Sequence, residues 1–387
     1  MKSIMPFIAL LCSLLSLLFT IWIIARAPHR VFWLTAIVTG EWSLFFGLVA
    51  LIGVGFGIIV IKSAAPVSGY IAVGSGALAF LISLYPLLVM LPVASANSVD
   101  LSLEKYVSFK PASPIAPIST FAFSEAEGNP LSLDVYGASS GDVKPAVVVV
   151  HGGSWNGGTR SDFPKWNHWL VDQGYVVFDI DYRLAPQPNW QSATQDVKDA
   201  VIWVKTHADK FGIDPERMAL LGRSAGGQLA LQAAYTAMAD TLSSSINTQN
   251  TQVQAVIAFY APADLKWGYE NPAFIRVNDG SAQLRAFTGG TPETVPDVYK
   301  QASPITFVSP STPPTLLIHG EKDQLVGTHH TVTLNGILQE QHQGDEKHKV
   351  LFIPYGQHGF DFNFNGWGSQ VTQAVLQEHL AVHLSAR

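Results

Sequence analysis

From Met5 to Ala25 the chain runs for 21 residues without a charged side chain. About 20 such residues cross a hydrocarbon layer as a helix, so this run constrains the fold more than any other feature. A second uncharged run, Trp42 to Ile61, follows the apolar stretch Val31 to Gly40, and a third extends from Tyr70 to about Pro92. Residues 1–93 hold only Lys2, Arg26, Arg30, Glu41 and Lys62 as charged groups. A buried soluble helical domain of that size would carry more charge. The expectation is therefore three transmembrane helices, at about 5–25, 42–61 and 70–92, that place the chain in a lipid bilayer.

A secretory signal peptide is the competing reading of the first run, but its apolar core is too long and Arg26 to Arg30 follows directly. Ala94-Ser95-Ala96 after the third run resembles a cleavage site, which leaves removal of the whole front as an alternative. Gly53, Gly55 and Gly57 lie inside a uniformly apolar stretch with no strand before them, so they read as close helix packing and not as a dinucleotide loop.

Beyond residue 93 the character changes. Residues 94–118 mix Ser and Ala with Pro111, Pro114 and Pro117 and read as a linker. From 119 to 387, short β-branched runs alternate with helical patterns: Leu131 to Tyr136, Ala146 to Val150, Tyr175 to Ile180, Met218 to Leu221, Val253 to Phe259, Thr315 to Ile318 and Val350 to Ile353 are the expected strands. Ala193 to Lys210 is the clearest helix, with Val197, Ala200, Val201 and Val204 on one face. Such alternation implies an α/β fold, a mostly parallel sheet with helices on both faces. Because the whole chain has formal net charge −6 and this part carries the acidic excess, nucleic acid is excluded as a partner. The single cysteine, Cys12, sits in the first apolar run, so the large domain has no disulfide, cysteine zinc site or cysteine nucleophile.

Gly222-Arg223-Ser224-Ala225-Gly226-Gly227 follows the strand Met218 to Leu221 and opens a helix from Gln228 to Met238. A serine on a sharp strand-to-helix turn projects its hydroxyl above the sheet edge, and glycines flank it because side chains there would collide. That hydroxyl needs a histidine base, and the base needs an acid to fix its tautomer. After Thr315 to Ile318 comes His319-Gly320-Glu321-Lys322-Asp323, and after Val350 to Ile353 comes Gln357-His358-Gly359. The order Ser224, Asp323, His358 suits this topology; Glu321 is the rival acid. His329, His330, His342 and His348 lie in polar sequence and are expected in solvent. Backbone N–H donors for an oxyanion are expected from Ala225 and from the loop Gly152-Gly153-Ser154 after Ala146 to Val150, with His151 bracing that loop. No metal or organic cofactor is called for.

Residues from about 125 to 385 resemble the α/β-hydrolase superfamily, in the carboxylesterase and acetyl-esterase branch related to hormone-sensitive lipase. The resemblance is carried by the serine turn, by the His-Gly-Gly loop, by Asp181-Tyr182-Arg183-Leu184-Ala185-Pro186 and by Ala302-Ser303-Pro304-Ile305. The form His151-Gly152-Gly153-Ser154-Trp155 is similar to feruloyl-esterase-like and kynurenine-formamidase-like members, which leaves ester and aryl formamide both open. Asp181 and Arg183 are read as structural. Arg223 occupies a position usually filled by a smaller or acidic residue, and no mechanism attaches to it.

The resemblance implies a serine hydrolase of small-molecule carboxylic esters, with short to medium acyl groups; it says nothing of the front, whose apolar runs lead to the expectation that this hydrolase is membrane-anchored. An amidase or serine peptidase on the same fold is the enzymatic alternative. A hydrolase-fold module without catalysis would lack one of the three residues. Residues 261–313 form a long connection expected to fold over the site as a lid, and Trp155, Trp267, Tyr269, Phe274, Phe287 and Tyr299 are candidates to wall a substrate pocket. With three spans, Arg26, Arg30, Lys105 and Lys110 fall on the hydrolase side against Lys2 and Lys62 opposite, which favours a cytoplasmic hydrolase.

Overall fold

A computed structural model describes residues 4–62, 65–108, 117–126, 128–138, 141–185, 188–237, 251–273, 277–342 and 347–386. Lys2, Lys110, Pro111, Pro114, Pro186, Met238 and Phe274 lie outside the described residues.

The front of the chain is a helical bundle: α1 (Met5–Thr20), α2 (Arg30–Glu41), α3 (Ser43–Ile61) and α4 (Pro66–Ala96), followed by the short α5 (Leu103–Val107). Three stretches are long and apolar enough to cross a membrane, Met5–Ile23, Ser43–Ile61 and Pro66–Ala96. They pack through small residues. A Cβ on Gly53 would strike Ser13 of α1, one on Gly69 would lie 2.6 Å from the Ile61 nitrogen, and one on Gly76 would lie 3.0 Å from the Ala50 carbonyl. Backbones approach this closely only where side chains are missing. Their outward faces carry Leu11, Leu14, Leu18, Leu51, Ile58 and Leu81, all exposed.

Among the described residues the rest forms one eight-stranded sheet: β1 (Ser119–Ala126), β2 (Asn129–Tyr136), β3 (Lys144–Val150), β4 (Val176–Ile180), β5 (Ile213–Arg223), β6 (Ala255–Phe259), β7 (Thr315–Gly320) and β8 (Lys349–Ile353). Its order is β1-β2-β4-β3-β5-β6-β7-β8, antiparallel at β1, β2 and β4 and parallel from β4 through β8. The central strands are buried along nearly their whole length, Val147, Val148 and Val150 in β3 and every residue of β6 among them. Both faces are therefore covered. Helices α6 (Pro164–Asp172), α7 (Trp190–Thr206), α8 (Ala208–Phe211), α9 (Ala225–Tyr235), α10 (Leu265–Glu270), α11 (Gly280–Thr288), α12 (Pro296–Gln301), α13 (His329–Gln341) and α14 (Trp367–His383) do this. One core lies under α7, α9 and α13, through Val197, Leu229 and Leu334; the other lies under α6 and α14, through Trp166, Leu170 and Val371.

Two sequence expectations change here. β1 was not among the expected strands. The expected linker 94–118 is packed structure over its first half: α4 continues to Ala96, and Met90, Ala94 and Tyr106 belong to the second core. Tyr106 stacks on Trp367 at 4.2 Å, and the Ser102 N–H donates to Gln370 Oε1 at 2.8 Å. An aromatic ring with a flat partner outweighs the loop-like composition around it.

Glu41 closes the joint between bundle and sheet. It is buried, the Tyr355 hydroxyl donates to its Oε2 at 3.3 Å, and Asn363 Nδ2 donates to its backbone carbonyl at 3.0 Å. Burial raises its carboxyl pKa well above the usual range; the nearby Asp361 carboxylate adds to this, against the Tyr355 hydrogen bond. Glu41, the last residue of α2, thus docks the bundle on the histidine side of the sheet.

Candidate active site

The parallel strands β3, β5, β7 and β8 all end on the same edge, and the loops leaving that edge carry the reactive side chains. β5 ends at Arg223, and Ser224 stands between it and α9 with φ 53° and ψ −121°. A residue with a side chain rarely adopts this conformation. It is held by the Ser224 N–H donating to the Phe259 carbonyl at 2.9 Å and by backbone packing on either side. A Cβ on Gly222 would overlap the Gly226 carbonyl, and one on Gly226 would overlap the carbonyls of His151 and Val150.

The loop after β8 brings His358 Nε2 to 2.9 Å from Ser224 Oγ. Its Nδ1 lies 2.7 Å from Asp323 Oδ2, in the loop after β7. A carboxylate can only accept, so the neutral ring carries its proton on Nδ1 and presents Nε2 as an acceptor to the serine hydroxyl. Asp323 is fully buried, and its Oδ1 accepts from the N–H groups of Leu325 at 2.8 Å and Val326 at 2.9 Å. Burial alone would raise its pKa, but His358 and His319 beside it hold the carboxyl well below the usual carboxylate range. His319 was not singled out in the sequence. Its Nε2 lies 3.3 Å from Asp323 Oδ2 and 2.9 Å from the Val326 carbonyl, and its Nδ1 lies 2.7 Å from Thr331 Oγ1. Glu321, the rival acid, is exposed to solvent.

Gly152, Gly153 and Ser154 lie directly against the serine turn. A Cβ on Gly152 would meet the Arg223 carbonyl at 3.0 Å and Ser224 Cβ at 3.4 Å, while Gly153, Ser154 and Trp155 take φ of 121°, 55° and 60°. Trp155 fastens this loop: its Nε1–H donates to Gln228 Oε1 at 2.9 Å and its ring stacks on Phe287 at 4.4 Å. His151 stacks on Tyr182 at 4.3 Å, with Nδ1 2.7 Å from the Gly152 carbonyl. Asp181 pairs with Arg160, and Arg183 pairs with the buried Asp196 at 2.6 Å.

Ser154, Trp155, Ser224 and Ala225 line a narrow cavity of about 60 Å³, closed over by a strap of residues 262–273 and 278–284 and by residues 325–327. Of the expected wall residues, Trp155 alone among the described ones lines it. Phe287 is buried behind Trp155; Tyr269 packs edge-on against the buried Tyr299 at 5.7 Å. Trp267 stacks on His329 at 4.2 Å and faces a neighbouring cavity. Tyr269 and Phe287 thus pack the strap and do not line the narrow cavity. His330, expected in solvent, is buried, lines the narrow cavity and lies with Nδ1 3.2 Å from the Asp264 N–H; burial pushes its pKa down to about 3, so it is neutral. His348 is buried too.

Arg223 has a clear place. It turns away from the cavity into the second core, where its Nε donates to Asp361 Oδ2 at 2.7 Å and its guanidinium lies 4.3 Å over the Phe163 ring. The Tyr260 hydroxyl donates to Asp361 Oδ1 at 2.7 Å, and the Tyr260 ring packs 4.4 Å from His358. This group braces the histidine loop. Among the described residues no cluster of three His, Cys, Asp or Glu side chains is arranged to hold a metal ion.

The chain is 30% identical over 242 residues to the probable carboxylic ester hydrolase LipM of Mycobacterium tuberculosis, covering 60% of this chain and 53% of that protein. It is 32% identical over 234 residues to esterase LipC of the same organism, covering 59% and 57%. The chain thus spans about half the length of these relatives. In fold it is similar to a truncated carbohydrate esterase from gut microbiota, with TM-score 0.57, 22% identity and coverage of 70% of this chain and 99% of that one. It is also similar to esterase Est2 of Thermogutta terrifontis, with TM-score 0.56, 23% identity and coverage of 72% and 95%. The profile of the family described as BD-FAE matches residues 133–338, more than half of the chain, and the chain, an α/β-hydrolase, belongs to that family.

Proposed function

We propose that this chain is a serine hydrolase of carboxylic esters, fixed to a membrane by its three apolar helices. The observation that carries the reading is the chain of contacts from Asp323 to His358 Nδ1 at 2.7 Å and from His358 Nε2 to Ser224 Oγ at 2.9 Å. His358 takes the Ser224 proton as Oγ attacks the acyl carbon, Asp323 stabilises the resulting imidazolium, and the proton passes to the leaving alcohol. Water then resolves the acyl-enzyme through the same base. N–H groups of the Gly152 to Ser154 loop and of Ala225 receive the oxyanion. The esterase names of the relatives support this reaction class, and the narrowness of the cavity at Ser224 supports a short acyl group.

In this reading residues 1–93 are the anchor and 119–387 the hydrolase, facing the cytoplasm. The support for that side is the count of Arg26, Arg30, Lys105 and Lys110 against Lys2 and Lys62. Protease added to spheroplasts should leave the hydrolase intact until lysis.

The direct test is Ser224→Ala in the full chain. Hydrolysis of p-nitrophenyl acetate should fall by roughly 10⁴-fold or more with thermal unfolding unchanged, because the hydroxyl faces the cavity and packs no core. Retention of a few per cent of activity would overturn the assignment. N-formylkynurenine in the same assay separates an ester from an aryl formamide specificity.

A further inference from the structure

Two cavities meet under the strap of residues 262–273 and 277–284. The narrow one is floored by Ser224 and Ala225. A larger one, of about 410 Å³, lies on the side of the Asp323 loop and of Gln357, the neighbour of His358. Asn271, Pro272, Ala273, Leu325 and Gly327 stand in the walls of both, so the two are adjoining chambers. Trp267 of the strap lines the larger chamber as well, and its far wall comes from the front of the chain: Ile23, Ile24, Ala25 and Arg26.

Those four residues mark the end of the first apolar stretch, Met5–Ile23, and Arg26 is the first charged residue after it. A span that leaves the hydrocarbon at Ile23 puts Ile24 to Arg26 at headgroup level. Neighbouring residues agree with that level. Trp22 and Trp33 pack with Val277 of the strap and Leu325 of the Asp323 loop, in the position tryptophan takes at a bilayer surface. The Ala27 N–H donates to Gln324 Oε1 at 3.0 Å, which fastens the end of the span to the same loop. Helix α2 buries Trp33 and Ala36 and exposes Val31, Leu34 and Val38, spaced three and four residues apart. An exposed apolar stripe on a helix between two spans fits the surface of a bilayer.

Chemistry assigns the two chambers. The histidine hands its proton to the departing alcohol, so the alcohol lies on the His358 side and the acyl group on the side of Ala225. The alcohol side is the roomy one, and its far wall is the end of the first span.

We propose that the substrate is a membrane-resident ester, a short acyl group on a long-chain apolar alcohol, and that it enters sideways from the bilayer past Ile23 to Arg26, with its alcohol portion in the larger chamber. This rests on the membrane-anchored serine hydrolase reading above. In the reaction the Ser224 Oγ to acyl-carbon bond forms and the acyl-carbon to alkoxy-oxygen bond breaks. The serine proton moves through His358 Nε2 to the alkoxide, which stays in the bilayer as the alcohol. Water then adds to the acyl carbon, returns a proton through His358 to Ser224, and the short acid leaves to water.

The test uses the full chain reconstituted in phosphatidylcholine vesicles. Hexadecyl acetate is supplied in the vesicles and p-nitrophenyl acetate in the water, so that the acyl group is held constant. The wild type should hydrolyse both. Ala25→Trp and, separately, the more exposed Ile24→Trp should lower the ratio of kcat/KM for hexadecyl acetate over p-nitrophenyl acetate by at least about tenfold. Leu18→Trp, on the outward face of the same span, should leave that ratio within about twofold. An unchanged ratio in both chamber variants would overturn the proposal. So would a wild type that hydrolyses p-nitrophenyl acetate and leaves hexadecyl acetate intact. If neither ester is hydrolysed, the serine-hydrolase reading itself falls and takes this proposal with it.

Discussion

Ser224 and His358 meet at 2.9 Å, yet they are held there by different means. The serine turn is fixed by backbone against backbone: Gly222 faces the Gly226 carbonyl, and Gly226 faces the carbonyls of β3's end, with no room for a Cβ. The histidine loop is fixed by side chains that arrive from far along the chain. Arg223 reaches Asp361 across 138 positions, and Glu41 reaches Tyr355 and Asn363 across more than 300. Close backbone packing is stiff and tolerates no substitution, whereas a polar network tolerates isosteric change if its charges stay paired. The nucleophile is therefore rigidly set, and the base is adjustable.

The largest effect should come from the rigid side. Gly226→Ala places a Cβ on two carbonyl oxygens that belong to a central strand and cannot move, so no cooperatively folded hydrolase should be recovered, a loss of more than about 4 kcal/mol. Circular dichroism and gel filtration of the expressed chain would show it. A folded, active Gly226→Ala protein would mean that the turn has slack.

Asp361→Asn should be intermediate. It leaves the Arg223 guanidinium buried without its counter-charge, which costs about 3–5 kcal/mol, and it loosens the Tyr260 ring against His358. Denaturant unfolding should show the loss, and kcat on a soluble acetate ester should fall further than KM rises. If kcat is unchanged, the network stabilises the fold without positioning the base.

The smallest effect is expected at the joint. Burial raises the Glu41 pKa, so below the usual carboxylate range, where the group is neutral both folded and unfolded, Glu41→Gln should alter stability by less than about 1 kcal/mol. A carboxyl whose pKa is raised on folding contributes stability that is present below its unfolded pKa and lost as pH rises toward its folded value. Wild type should therefore lose stability relative to Glu41→Gln as pH rises above the usual carboxylate range toward the raised folded value. Asp179, which burial pushes up to about 7, loses its contribution in the same direction in both proteins, and the difference between them isolates Glu41. Parallel curves would show that Glu41 is ionised in the folded chain.

The same contrast explains what could be read in advance. The turn at Ser224 was legible because strand, glycines and helix are consecutive, and Asp323 and His358 because each follows a strand in the expected order. The Arg223 to Asp361 pair was not legible, since nothing near either residue names the other. His330 was hidden by its polar neighbours Thr328, His329 and Thr331. Tyr269 and Phe287 were misassigned because aromatic composition identifies residues that will be buried and not which side of a strap they face. β1 escaped notice because it is an edge strand, half exposed and with a register shift between Ala122 and Ser124 that breaks its alternation.

Helix α4 belongs to both halves of the molecule: Gly69 and Gly76 lock its first turns into the bundle, and Met90 and Ala94 lie in the core beneath the sheet. Between them stand Pro86 and Pro92, each of which lacks the N–H that would bond to the carbonyl four residues earlier. Mechanically this is a stiff rod with two weakened points just where it passes from one body to the other. Any bending of this helix should gather at those two prolines and not in its glycine-packed first turns.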